Sequence, residues 1–179
     1  GHAERTERQA GLRALAWSST GDSASETVKK PVTTPADLEG VKLRVIEAPV
    51  LVEAMRALGA SPTPMAYLEV YTGMKQGIID GAHLDVLSVD VLKVGEVIKY
   101  MTDWEQATFL SEPRPVIMSA KFFASLSPER QKLIHDAMLE AAVLERKVFV
   151  DRMATIRKKL VDDGVKISKV DVPAFVALV

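Results

Sequence analysis

The 179-residue sequence contains no cysteine, so it forms no disulfide bonds and offers no thiolate metal ligands. That composition suits a periplasmic protein as well as a cytosolic one. Lysine and arginine (23) nearly balance aspartate and glutamate (24), and a net charge of −1 gives no reason to expect a nucleic acid or an anionic membrane as partner. No apolar run approaches the roughly 18 residues of a membrane-spanning helix. The chain is long enough to build one good core or two small ones.

Sequence motifs of common enzyme classes are also missing. There is no Gly-x-Ser-x-Gly elbow, no P-loop, no dinucleotide fingerprint and no cysteine nucleophile. Only three histidines occur, and no pattern pairs a nucleophile with a base. We therefore expect neither enzymatic activity nor a cofactor.

Residues 37–82 carry the strongest structural signal. A short apolar run that contains Arg44 (residues 41–45) is followed by a segment of helical period, and a Pro-rich extended piece (residues 61–65) is followed by a second helical segment (residues 68–79). Strands that alternate with helices through short connections are typical of an α/β unit with a mainly parallel sheet.

The rest of the chain predicts further strands and helices. In order, these are a helix at 3–10, a strand at 12–17, a polar loop at 18–25, a short helix capped by Thr34, a turn at Asp80-Gly81, a helix at 86–97, strands at 104–110 and 116–119 around a loop at 111–115, a helix at 121–126, a strand at 165–170 and a helix from 173. Residues 128–163 indicate one unusually long helix. A coiled coil is the alternative for this helix, but its apolar positions drift instead of holding a strict seam.

The order of motifs in residues 37–82 resembles the solute-binding subunits of TRAP transporters, the DctP-type family. That family shows LKGLKIRV, a helix, GA-x-PTPM, an aromatic residue, E-x-Y-x-x-L-x-x-G and x-x-DG at nearly the same spacing, and this chain has Pro-Thr-Pro-Met at residues 62–65. The resemblance implies an α/β, periplasmic-binding-protein-like two-lobe fold. This chain is expected to cover the second lobe, the long cross-lobe helix and part of the first lobe.

The resemblance also implies an organisation in three parts. Residues 1–20 would be a lead-in helix and strand, and residues 21–110 the ligand-binding α/β lobe. Residues 111–179 would contain crossover strands, the long helix, and a C-terminal strand and helix that return to the lobes.

The function that the resemblance implies is extracytoplasmic solute binding. The protein would capture a small organic acid in the periplasm through an arginine and deliver it to the membrane subunits of a TRAP-type permease. The alternative is an isolated lobe that acts as an interaction or oligomerisation module without binding a ligand, in which the long helix pairs with another copy.

Arg44 is the strongest candidate for ligand binding. A guanidinium between apolar strand residues needs an anion or a set of carbonyl groups, because leaving it unpaired in a dry site costs several kcal/mol. Its planar fork can hold a carboxylate through two hydrogen bonds. The alternatives are pairing with an internal acid or extension to solvent; the family resemblance implies the ligand carboxylate.

Four further residues complete the predicted ligand site: Tyr67, His83, Leu84 and Trp104. Tyr67 occupies the aromatic position that in the family packs over the ligand. Trp104 either lines the ligand pocket or simply packs in the core. His83 and Leu84 replace the acid and the asparagine of the family's DG-x-E-N motif, which favours a smaller or more apolar monocarboxylate over a dicarboxylate. His83-x-Asp85 offers two metal ligands, but two residues do not make a site, and no metal is expected.

Overall fold

The structure is a computed structural model that describes residues 10–19, 23–104 and 113–177. It divides into two compact units. Residues 1–20 and 112–152 belong to the first unit, and residues 21–111 and 153–179 belong to the second. The predicted helix at 3–10 and strand at 104–110 lie almost wholly outside the described residues.

An antiparallel pair of strands forms the sheet of the first unit. Strand β1 (Leu12–Ser19) pairs with β7 (Pro113–Ser119), with a bulge between Ala14 and Ala16. The predicted strands at 12–17 and 116–119 are therefore confirmed. The predicted loop at 111–115 is wrong for its last three residues, because pairing with β1 holds Pro113 onward in extended conformation.

Two helices follow β7 along the chain. Helix α5 (Ala120–Ala124) places Phe123 beneath the guanidinium of Arg13, whose Cζ lies 4.4 Å from the ring centroid. Helix α6 (Pro128–Asp162) runs for 35 residues and confirms the predicted long helix. Among the described helices, none combines the length and the apolar character needed to cross a membrane.

A six-stranded sheet forms the second unit. Its strands, in spatial order, are β4 (Ser61–Pro64), β3 (Lys42–Val45), β5 (Gly81–Asp85), β2 (Ser23–Thr27), β6 (Tyr100–Asp103) and β8 (Lys166–Lys169). Strand β2 is antiparallel to both of its neighbours, and the remaining neighbouring pairs are parallel. The prediction of a mainly parallel sheet is confirmed.

Strand β2 corrects the prediction of a loop at 18–25. Its sequence is small and polar, which resembles a loop, yet it is a central strand whose backbone bonds to β5 on one side and to β6 on the other. Ala24, Ser25 and Glu26 are all at most 1% exposed. Pairing on both sides satisfies the buried backbone polar groups, so local composition is overridden by tertiary context.

Besides the end of α6, the described part of the second unit contains five helices: α1 (Pro35–Leu38), α2 (Pro49–Ala57), α3 (Val70–Lys75), α4 (Val86–Val91) and α7 (Val172–Val176). The predicted helix at 68–79 is shorter than expected and begins with a 3₁₀ turn at Tyr67–Glu69. The predicted helix at 86–97 is split. Lys93 adopts the left-handed conformation (φ 55°), which ends α4 before a 3₁₀ turn at Val94–Glu96.

The apolar core of the second unit packs on the sheet face that carries Leu43 and Val45. Both side chains are at most 2% exposed, and the same cluster contains Met55 of α2 and Phe175 of α7. Because side chains alternate along a strand, Arg44 points to the opposite face.

Glu26 is a carboxyl group sealed inside the sheet. Its side chain is 0% exposed, and neither carboxyl oxygen has a hydrogen-bond partner among the described residues. Burial raises the pKa of Glu26 well above its usual value, and the nearby charges of Asp85 and Asp103 raise it further. The folded state therefore favours the protonated acid.

We expect Glu26→Gln to stabilise the protein increasingly as pH rises. Because the pKa of Glu26 is raised on folding, its contribution to stability is fully present below the unfolded value of about 4.5 and is lost as pH rises through the folded pKa. The glutamine has no proton to lose and escapes that loss. Thermal unfolding of both proteins at about pH 4.5 and pH 8 measures the difference.

The matched control is Glu39→Gln, the same chemical change at an exposed position. Its effect on the melting temperature should be small at both pH values. A Glu26→Gln variant whose advantage over the parent shrinks with rising pH would contradict the prediction.

Candidate functional site

Strands β3, β4 and β5 end at the same edge of the sheet. They are parallel, so their carboxyl ends lie together, at Val45, Pro64 and Asp85. In open α/β sheets this edge is the usual position of a ligand site.

Arg44 lies one residue before the end of β3 and is 2% exposed. Its Nε donates a hydrogen bond to the carbonyl oxygen of Met65, at 3.0 Å, just beyond the end of β4. This bond orients the guanidinium plane and ties it to the segment that leads into Tyr67. On the other side, Arg44 is in register with Ala82 of β5, which is 0% exposed. Arg44 is thus a buried cation, held by its backbone neighbour near the carboxyl edge.

Tyr67 begins the 3₁₀ turn two residues after Met65, and it is 39% exposed. Its hydroxyl lies 3.1 Å from Oγ of Ser88, in α4. Ser88 Oγ donates to Oδ2 of Asp85 at 2.8 Å, and the Ser88 backbone N–H donates to Oδ1 at 2.9 Å. The turn after β4 and the helix after β5 are thereby linked through hydrogen-bonded side chains.

The sequence reasoning missed Ser88 and considered Asp85 only as a metal ligand. A signal was available, because Asp85 precedes an apolar helical segment and its carboxylate caps that helix. A serine three residues after such a capping aspartate can donate both its backbone N–H and its hydroxyl to the carboxylate.

His83 is 8% exposed, and neither ring nitrogen has a hydrogen-bond partner among the described residues. The pKa of His83 is lowered to about 4, chiefly by burial and also by the positive charge of Arg44, while the polar backbone of Ala24 and the carboxylate of Asp85 oppose the shift. The imidazole is therefore neutral at pH 7, and the positive charge at this place in the sheet belongs to Arg44.

Leu84 and Trp104 are buried in the second unit, unlike the half-exposed Tyr67. Leu84 is 5% exposed and pairs with Ala24. Trp104 is 2% exposed, its Nε1 donates to Ser25 Oγ at 2.9 Å, and its ring packs edge-on against Phe175 with centroids 4.7 Å apart.

The two sheet faces separate the predicted site residues. Arg44, Ala82 and Leu84 share one face, because register partners and alternate residues point the same way. His83 shares the other face with Ser25, the partner of Trp104. The structure therefore brings Arg44 close to the turn of Tyr67 and places His83 and Trp104 beneath the sheet. Among the described residues, no group of three or more histidine and acidic side chains could hold a metal ion.

Comparison with known proteins identifies the family. The model of the DctP family, the bacterial extracellular solute-binding proteins of family 7, matches residues 2–178. The chain belongs to this family, which is one of periplasmic binding proteins and not of enzymes. The resemblance to TRAP solute-binding subunits and the expected periplasmic location are thereby confirmed.

Curated relatives include proteins with named ligands. The chain is 32% identical over 157 residues to the 2,3-diketo-L-gulonate-binding periplasmic protein YiaO of Escherichia coli, and this covers 88% of the chain and 47% of that protein. It is 37% identical over 131 residues to the ectoine/5-hydroxyectoine-binding periplasmic protein UehA of Ruegeria pomeroyi, with 73% and 38% covered. The chain spans about half the length of the curated relatives it matches.

Solved structures agree with the fold. A TRAP periplasmic solute-binding protein of Chromohalobacter salexigens with bound D-glucuronate superposes with a TM-score of 0.89 at 30% identity, covering 99% of this chain and 58% of that one. One from Sulfitobacter sp. NAS-14.1 with bound β-D-galacturonate gives 0.87 at 31% identity, with 97% and 57% covered. The expected fold class, a mixed α/β chain covering part of a periplasmic-binding-protein fold, is confirmed.

Proposed function

We propose that this chain belongs to a periplasmic protein that binds a small monocarboxylic acid through Arg44 and delivers it to a TRAP-type membrane permease. The observation that carries the proposal is the buried guanidinium of Arg44 near the carboxyl edge of the parallel strands, held by the Met65 carbonyl at 3.0 Å. In this proposal Arg44 and Tyr67 contact the ligand. Leu84 lies on the same face of the sheet as Arg44, and His83 and Trp104 support the sheet from its opposite face.

Electrostatics supports an acid as the ligand. A guanidinium that is 2% exposed attracts an anion more strongly than an exposed one, because little water screens it. The neighbouring His83 is neutral at pH 7, so it leaves Arg44 as the binding charge. The single positive charge of Arg44 matches the charge of one carboxylate.

The ligands of relatives support the same class. The Sulfitobacter and Chromohalobacter proteins hold β-D-galacturonate and D-glucuronate, and a protein of Roseobacter denitrificans holds L-galactonate. Each of these ligands carries one carboxylate. The relatives are binding proteins of transport systems, which supports delivery to a permease and gives no support to an oligomerisation module without a ligand.

The identity of the ligand is tested on the full-length protein. We expect mass spectrometry of the small molecules released by denaturation to find a monocarboxylic acid. Calorimetric titration of the ligand-free protein with that acid should show saturable binding. Tight binding of C4-dicarboxylates, together with no binding of monocarboxylates, would contradict the proposal.

A further inference from the structure

The hydrogen-bonded chain from Asp85 to Tyr67 has a fixed direction. A carboxylate only accepts hydrogen bonds, so the two bonds between Ser88 and Asp85 are donated by Ser88. Oδ1 accepts the backbone N–H of Ser88 at 2.9 Å, and Oδ2 accepts the Ser88 hydroxyl at 2.8 Å. The single hydroxyl proton of Ser88 is therefore committed to Asp85, since a hydrogen bond to a charged acceptor is about twice as strong as one between neutral groups.

The donor and acceptor of the next hydrogen bond, between Tyr67 and Ser88, are fixed in the same way. With its proton committed, Ser88 Oγ can only accept from the Tyr67 hydroxyl, which lies 3.1 Å away. Tyrosine has one hydroxyl proton, and here that proton points inward to Ser88. What the Tyr67 hydroxyl can still offer a ligand is therefore a lone pair, and the residue as a whole is 39% exposed.

We propose that Tyr67 determines specificity by accepting a hydrogen bond from a hydroxyl group of the bound acid, with Ser88 and Asp85 as positioning residues that hold its proton inward. This inference rests on the proposed function and names its ligand class, the hydroxylated monocarboxylates. It differs from the sequence-based expectation of a more apolar acid.

Arg44 and Tyr67 thus have complementary roles. The Met65 carbonyl accepts from Arg44, and Tyr67 follows two residues later, so the same short segment positions both groups. Arg44 carries a positive charge, which suits a carboxylate. Tyr67 presents an acceptor, which suits a hydroxyl and disfavours a carboxylate. A ligand that meets both needs one acid group and at least one hydroxyl.

The test compares acids with and without hydroxyl groups in the full-length protein. The hydroxylated probes are D-glucuronate, D-galacturonate and L-galactonate, and cyclohexanecarboxylate keeps a six-membered ring and the acid but has no hydroxyl. We expect Tyr67→Phe to weaken the best hydroxylated probe about tenfold, the value of one net hydrogen bond. Binding of cyclohexanecarboxylate should remain within about twofold, because it makes no bond to Tyr67.

Ser88→Ala separates the positioning role from direct contact. This variant keeps the Tyr67 hydroxyl but frees its proton, so Tyr67 can donate as well as accept. We expect the preference for hydroxylated acids over cyclohexanecarboxylate to fall, by less than in Tyr67→Phe. The matched control is Tyr71→Phe, because the Tyr71 hydroxyl lies 3.2 Å from Glu96 and outside the hydrogen-bonded chain from Asp85 to Tyr67. The Tyr71→Phe variant should prefer hydroxylated acids over cyclohexanecarboxylate as strongly as the parent does.

The outcomes distinguish this inference from the proposed function. A parent protein that binds no acid of the panel overturns the proposed function. A parent that binds cyclohexanecarboxylate as well as the hydroxylated acids, or a Tyr67→Phe variant with an unchanged preference, overturns the role of Tyr67 and leaves acid binding by Arg44 standing.

Discussion

Replacing Arg44 with alanine is expected to weaken acid binding by about thirty-fold to several thousand-fold. Truncating one member of a desolvated charge pair typically costs about 2–5 kcal/mol, much of it from the ligand carboxylate left without a partner. The 2% exposure of Arg44 places it in that desolvated class. Isothermal titration of the full-length protein with its acid ligand measures the effect.

Two further variants distinguish the loss of the positive charge of Arg44 from a loss of side-chain packing. Arg44→Lys keeps a positive charge but loses the planar fork, so part of the affinity should remain. Arg44→Met keeps much of the side-chain volume without the charge and should bind as weakly as the alanine variant. Arg56→Ala, at an exposed arginine of α2, is the matched control and should bind like the parent. Unchanged affinity in Arg44→Ala with an intact fold would remove Arg44 from the site.

Replacing Trp104 with alanine is expected to lower the unfolding free energy by about 3–5 kcal/mol, the usual cost of deleting a buried large aromatic side chain. Trp104 is 2% exposed, packs edge-on against Phe175 and donates a hydrogen bond to Ser25. The alanine variant therefore loses packing and leaves a buried hydroxyl with one partner fewer. Denaturant titration followed by circular dichroism measures the change.

Trp104→Phe distinguishes core packing from a wall of the ligand pocket. The phenyl ring keeps much of the contact with Phe175 but cannot donate to Ser25, so we expect a smaller loss of stability. Ligand affinity should remain within a few-fold, because Trp104 supports the site from beneath the sheet. If Trp104→Phe kept full stability but lost ligand affinity, Trp104 would instead contact the ligand directly.

Local sequence predicted elements well where pattern and packing agree. The long helix at 128–163 was predicted nearly to its ends, because its helical period and the start at Ser127-Pro128 are local signals. The helix at 86–97 was predicted too long, because the left-handed turn at Lys93 has no such signal. Gly81 was predicted as part of a turn. The structure makes it the first residue of β5, where a Cβ would lie 2.4 Å from the Glu26 carbonyl oxygen.

The sequence by itself determined the α/β class, the family and the candidate Arg44, because hydrophobic period, the Pro-Thr-Pro-Met motif and a cation among apolar residues are all local properties. Only the tertiary structure decided that β2 enters the sheet and seals Glu26 inside it. It likewise decided that Tyr67 meets Ser88, 21 positions away. Strand pairing and the direction of a hydrogen-bonded chain depend on which segments become neighbours in space, and no window of sequence contains that information.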